Sequence, residues 1–100
     1  MKLLAIMRPG EGIDVRREMA PHAREELSSL WSLYRGGVVR EMYSPGGPGA
    51  ILILEAASAG EAHSLLSELP LVSQSIVTLE IVELQPFSAF EMLFSSGSRS

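Results

Sequence analysis

Short apolar runs with period-two alternation are separated along the chain by segments whose apolar residues recur every three or four positions. Lys2–Arg8 is the first strand, closed by Pro9-Gly10-Glu11-Gly12. Pro21 is costly inside a helix but welcome at its first position, so the main helix starts near Pro21 and Asp14–Met19 is a short, irregular lead-in. Ala23, Leu27, Leu30, Trp31 and Tyr34 then share one helical face, the expected core or interface side. Glu25 and Glu26 sit in its first turn and Arg35 in its last, as the helix dipole favours, and Gly36-Gly37 supplies the stop.

Val38–Tyr43 and Ala50–Ala56 are the second and third strands, joined as a hairpin through Ser-Pro-Gly-Gly-Pro-Gly. Ser58 and Glu61 form a capping box that opens a second helix, expected to run to about Leu69, where Pro70 intervenes. Ser73–Leu84 is the fourth strand. All the phenylalanines of the chain, Phe87, Phe90 and Phe94, follow it together with Leu93.

The order β-α-β-β-α-β is that of an α+β, ferredoxin-like unit, with an antiparallel sheet and both helices on one face. Residues 1–94 make a single domain, and the polar 95–100 segment is expected to fray. In the last strand Val77, Leu79 and Ile81 point one way and Thr78, Glu80 and Val82 the other; the third strand divides into Leu52/Leu54 and Ile51/Ile53/Glu55. Both faces are apolar, yet one helical layer covers only one. A bare apolar face predicts association, here as a homodimer packed sheet to sheet, with the phenylalanine arm lapping over the neighbour. Association of such dimers into a higher oligomer is left open.

Composition narrows the function classes. Hydrophobic content of 46% with 20% charged residues is globular. Net charge is −4 with scattered basic residues, so nucleic acid is not an expected partner. The absence of cysteine removes disulfides, thiol nucleophiles and cysteine-ligated metals. Leu3–Met7 is too short for a signal peptide's apolar region, and no run approaches the ~18 residues of a membrane span. The expectation is a cytoplasmic protein that does not engage a membrane.

The stretches "LPLV…VTLEIVEL.PF..F..LF" and "GVVREMYSPGGPGAILILEA" together resemble the muconolactone isomerase-like branch of the dimeric α+β barrel superfamily, over nearly the whole chain. The resemblance implies a ferredoxin-like protomer whose sheet forms a barrel across a dimer. It also implies an enzyme, possessing neither metal nor organic cofactor, that moves a proton on a small lactone. Cofactor-free oxygenation, and a non-catalytic binding or accessory role, are the alternatives within that superfamily.

Arg40, Glu55 and Glu80 are the candidate chemical groups on the strands. A four-residue loop Pro45–Pro48 sets Arg40 opposite Ile53, on the same face as Glu55, and Glu80 lies on the face turned from the helices. A carboxylate enclosed there loses water, holds its proton more tightly and can shuttle it; Glu80 and Glu55 are the candidate acid and base. Arg40 is the candidate clamp for a substrate carboxylate. His22 and Tyr34 are candidate substrate-binding groups on the first helix. The competing reading makes the strand charges structural pairs, His22 an exposed first-turn residue, and Tyr34 with Trp31 packing residues. His22, Glu25 and Glu26 fall on one helical side, but His63, in another helix, is the only further histidine, so no metal site is expected. The glycine-rich stretches carry neither a phosphate loop nor a dinucleotide fingerprint.

Overall fold

A computed structural model describes residues 1–94. Strand β1 (Lys2–Pro9) runs down the middle of a four-stranded antiparallel sheet of order β2-β3-β1-β4, with β2 at Val39–Tyr43, β3 at Ala50–Glu55 and β4 at Val77–Glu83. Helix α1 (Ala23–Arg35), helix α2 (Ala59–Leu66) and a short α3 (Pro70–Ser73) complete the β-α-β-β-α-β order. The chain enters α1 through a π turn at Val15–Met19 and a 3-10 turn at Ala20–His22, with Pro21 in the latter. The expected polar tail at 95–100 lies outside the described residues.

Local chemistry explains the element ends. Gly37 takes φ +85°, its amide donates to the Tyr34 carbonyl, and Val38 donates to Leu33, which is a Schellman closure of α1. The Ser58 hydroxyl accepts from the Glu61 amide at 3.0 Å and the Glu61 carboxylate accepts from the Ala57 amide at 2.8 Å, capping α2. Gly49, at φ +115°, lets β3 begin flush against β1; a Cβ there would overlap the Met7 carbonyl oxygen.

The helices cover one face of the sheet. Leu3, Leu52, Leu54 and Leu66 have no exposed surface and form the centre of the core, each stabilising the fold by about 1.5–3 kcal/mol relative to an exposed position. The opposite face carries Leu4, Ile6, Ile51 and Ile53, half-buried and outside that core cluster, with Val82 38% exposed. Beyond β4 the chain projects as an arm ending in a 3-10 turn at Ala89–Leu93. Phe87, Phe90, Leu93 and Phe94 on this arm are 64–83% exposed. The radius of gyration is 17.3 Å, against roughly 13 Å for a compact chain of this length.

Three expectations need correction. Pro70 does more than end a helix: α2 stops at Leu66, Pro70 opens α3, and β4 starts only at Val77. Of the α1 stripe, Leu30 is buried, but Leu27, Trp31 and Tyr34 are 65%, 55% and 44% exposed. The buried side is instead centred on Glu26 and Leu30, with Leu33 half-buried. Finally, Arg40 does not pair with Ile53. A bulge between Val39 and Glu41 puts Glu41 opposite Ile53 and Met42 opposite Leu52, so Met42 turns to the helical side and Glu41 and Tyr43 to the open face.

Candidate functional site

A cleft of about 440 Å3 opens between α1 and the helical side of the sheet. That volume lies within the range of small-molecule sites. Met7, Met42, Ala50 and Val77 form its floor on the strands. Met19, Ala23, Leu27 and Leu30 form the wall that precedes and follows the start of α1. Leu71 of α3 closes one end, and Pro48 and Gly49 of the hairpin loop form the lip.

The cleft holds one charged side chain, Glu26. It is 5% exposed, the sole buried polar side chain among the described residues. Its Oε1 accepts a hydrogen bond from the Leu71 amide at 2.9 Å. The sequence Leu69-Pro70-Leu71 makes this bond available. Proline at the first position of α3 leaves the next amide without a partner in its own helix, and Glu26 accepts from it. Oε2 is buried and meets no donor. Buried carboxylate oxygens are normally satisfied, so this one is open to a water, a ligand or a proton. Loss of water raises the Glu26 pKa above the ordinary carboxylate value; the Leu71 bond opposes this, Glu25 adds to it, and His22 one turn earlier opposes it. A carboxyl group that holds its proton more tightly than usual can serve as an acid as well as a base.

The candidate residues read from the sequence lie elsewhere. Glu80 is exposed on the open face, opposite Ile6 of β1. Glu55 accepts from the Met1 amino group at 2.9 Å, and this bond lowers its pKa, with Arg40 and Lys2 adding smaller effects in the same direction. Arg40 is exposed and donates from Nε to the Gly37 carbonyl at 2.6 Å. The structure thus brings Arg40 and Glu55 into electrostatic reach of each other, but neither they nor Glu80 line the cleft. On the open face Tyr43 donates to the Glu41 carboxylate, which raises the tyrosine's pKa. His22 is half-buried at the N-terminal end of α1, and Tyr34 packs against Trp31 with ring centroids 5.7 Å apart, away from the cleft.

Sequence reasoning placed Glu26 as a first-turn acid of α1, and weighed it beside His22 and Glu25 as a metal ligand, but not as a buried acid or base. A readable signal existed: Glu26 precedes the buried Leu30 by one turn, so a carboxylate stands on the apolar stripe. Among the described residues no three His, Asp or Glu side chains converge as metal ligands would, and no helix is long and apolar enough to cross a membrane.

A ferredoxin-like protomer with an apolar cleft on its helical side and a bare apolar sheet face is the class this geometry defines. The chain shares its fold with two solved structures. The chain is similar in structure to muconolactone isomerase, with a TM-score of 0.66 and 20% identity over 89% of this chain and 95% of that one. It is also similar to 5-chloro-2-hydroxyhydroquinone dehydrochlorinase (TftG) from Burkholderia phenoliruptrix AC1100, in a complex with 2,5-dihydroxybenzoquinone. There the TM-score is 0.64 and identity 18%, over 85% of this chain and 94% of the other. No family model matches the chain, and no curated protein matches it in sequence.

Proposed function

We propose that the protein is a small-molecule enzyme that transfers a proton on a lactone or related carbonyl compound, with Glu26 as acid and base. The observation that carries this reading is a buried carboxylate with an unpartnered oxygen beside an apolar cleft. The Glu26 carboxylate would take a proton from a carbon beside the substrate carbonyl, leaving an enolate. The resulting carboxylic acid would return the proton at a different carbon of the conjugated system. The substrate isomerises, and the residue ends as it began. The likeness to an isomerase and to a dehydrochlorinase supports this choice of chemistry by analogy of fold.

A second reading keeps Glu80 and Glu55 as the proton-transfer pair, with Arg40 holding an anionic group, in a barrel closed by a partner's sheet. The apolar open face around Leu4, Ile6, Ile51 and Ile53 favours it, because such a face is expected to be covered. Self-association through that face belongs to both readings. His22 and Tyr34 lie at α1, across the sheet from that face, and take no part in this reading.

Comparing Glu26→Gln with Glu80→Gln decides between them. The assay is turnover of muconolactone and, separately, of its uncharged methyl ester, with incorporation of solvent deuterium read by NMR. Glu26→Gln is expected to lose about 100- to 10,000-fold in rate, the usual worth of a positioned acid or base, while Glu80→Gln stays near wild type. Full activity in Glu26→Gln would remove Glu26 from the mechanism, and loss confined to Glu80→Gln would favour the open face.

A further inference from the structure

We infer that the cleft takes an uncharged ring compound bearing one carbonyl or hydroxyl group, and that it rejects carboxylate-bearing molecules. This rests on the cleft's being the substrate site, and it narrows the chemistry proposed for that site.

The lining carries the argument. Apart from Glu26, every side chain on the described walls is apolar. None of the lining residues is a lysine, arginine, histidine, serine, threonine or tyrosine. The Leu71 amide is already engaged by Glu26. Pro48 at the lip has no amide hydrogen to offer. Arg40, which could have neutralised an anion, is tied to the Gly37 carbonyl and does not line the cleft. A carboxylate entering here would lose its water, find no cation, and lie beside a second carboxyl group. A neutral hydroxyl, in contrast, can donate to the free oxygen of Glu26, and a neutral carbonyl can accept from that oxygen when Glu26 carries its proton.

Shape and softness point the same way. A void of about 150 Å3 suffices for benzene, so 440 Å3 leaves room for a substituted ring. Met7, Met19 and Met42 contribute three flexible thioethers to the lining, and sulfur packs favourably at the edges of flat rings.

The test is equilibrium binding to the full chain by calorimetry at pH 7, which needs no turnover. The probes are muconolactone, a carboxylate at this pH, and its methyl ester, matched in ring but uncharged. The ester is expected to bind at least tenfold more tightly, and the free acid to gain affinity as pH falls and its carboxylate is protonated. Equal or tighter binding of the carboxylate at pH 7 overturns the inference, as does failure of both probes to bind at millimolar concentration. Met42→Lys then locates the effect. Met42 lies on the floor and is 41% exposed, so an ammonium there stays solvated, and the variant is expected to reverse the preference toward the carboxylate. An unchanged preference means that the ester binds elsewhere, which also overturns the inference. Full turnover by Glu26→Gln, with the charge preference intact, would sink the acid–base role while leaving this substrate class standing.

Discussion

Replacing Glu26 by glutamine tests the buried carboxyl group through stability alone. Glutamine keeps an acceptor oxygen for the Leu71 amide, 2.9 Å away in the wild type, but it never ionises. Burial raises the folded-state pKa of Glu26 above its ordinary value of 4.5, so with rising pH the unfolded chain releases this proton before the native protein does. Stability therefore falls with pH across the interval between the two pKa values and levels off above the folded one. Each unit in that interval is worth about 1.4 kcal/mol. Below it, a carboxylic acid and an amide are similar acceptors, and the two proteins should melt together. Above it, the wild type gains a charge-assisted bond to Leu71 but carries a dehydrated charge, and the upward direction of the shift says that dehydration wins. A difference of about 1 kcal/mol moves Tm by roughly 4–8 °C in a domain of this size. Thermal melts followed by circular dichroism from pH 4 to pH 8 should show Glu26→Gln becoming more stable relative to wild type as pH rises. The charges of Glu25 and His22 act on ionised Glu26 alone, so their effects are part of the difference between the two proteins. Parallel curves, or a mutant that loses ground as pH rises, would refute the argument. Glu26→Leu serves as a control: it leaves the Leu71 amide unpaired and should lower stability by about 1–3 kcal/mol.

Truncation after Pro86 removes Phe87, Phe90, Leu93 and Phe94, which the single chain leaves exposed, so it should weaken self-association. Sedimentation at low micromolar concentration reads this, and an unchanged profile would rule out a role for the arm in assembly. Gly49→Ala forces a Cβ toward the Met7 carbonyl at φ +115° and should cost about 1–3 kcal/mol, seen as a lower Tm. Gly47→Ala in the same loop meets nothing within 4 Å and should be close to neutral, so equal losses in the two variants would contradict the proposed close approach.

Most of the architecture was legible because its signals are local. Gly37, the Ser58–Glu61 box and the proline-glycine loop each act on residues within a few positions, and the structure uses them as their chemistry dictates. The period-two pattern likewise sorted Leu52 and Leu54 from Ile51 and Ile53 correctly. What escaped was non-local. Glu26 is satisfied by an amide 45 residues away, so its burial is decided by packing that no window of sequence contains. On the same helix Leu30 faces inward while Trp31 and Tyr34 stay outside. The bulge at Arg40 has no glycine or proline to announce it, and without it the alternation along β2 runs one residue out of phase. As a result the charged strand residues were legible as candidates, whereas the carboxyl group inside the cleft was not.

That bulge also sets how readily the cleft can be retooled. It is one extra residue in an edge strand, and everything from Glu41 to Tyr43 takes its inside or outside orientation from it. Regular pairing through Arg40, with no residue removed, would exchange the inventories of the two sides of β2. Glutamate and tyrosine would swing under α1, and a methionine would move to the outer surface. A descendant could thus acquire a polar chamber by losing the bulge, at the edge of the sheet where the backbone has fewest neighbours to disturb.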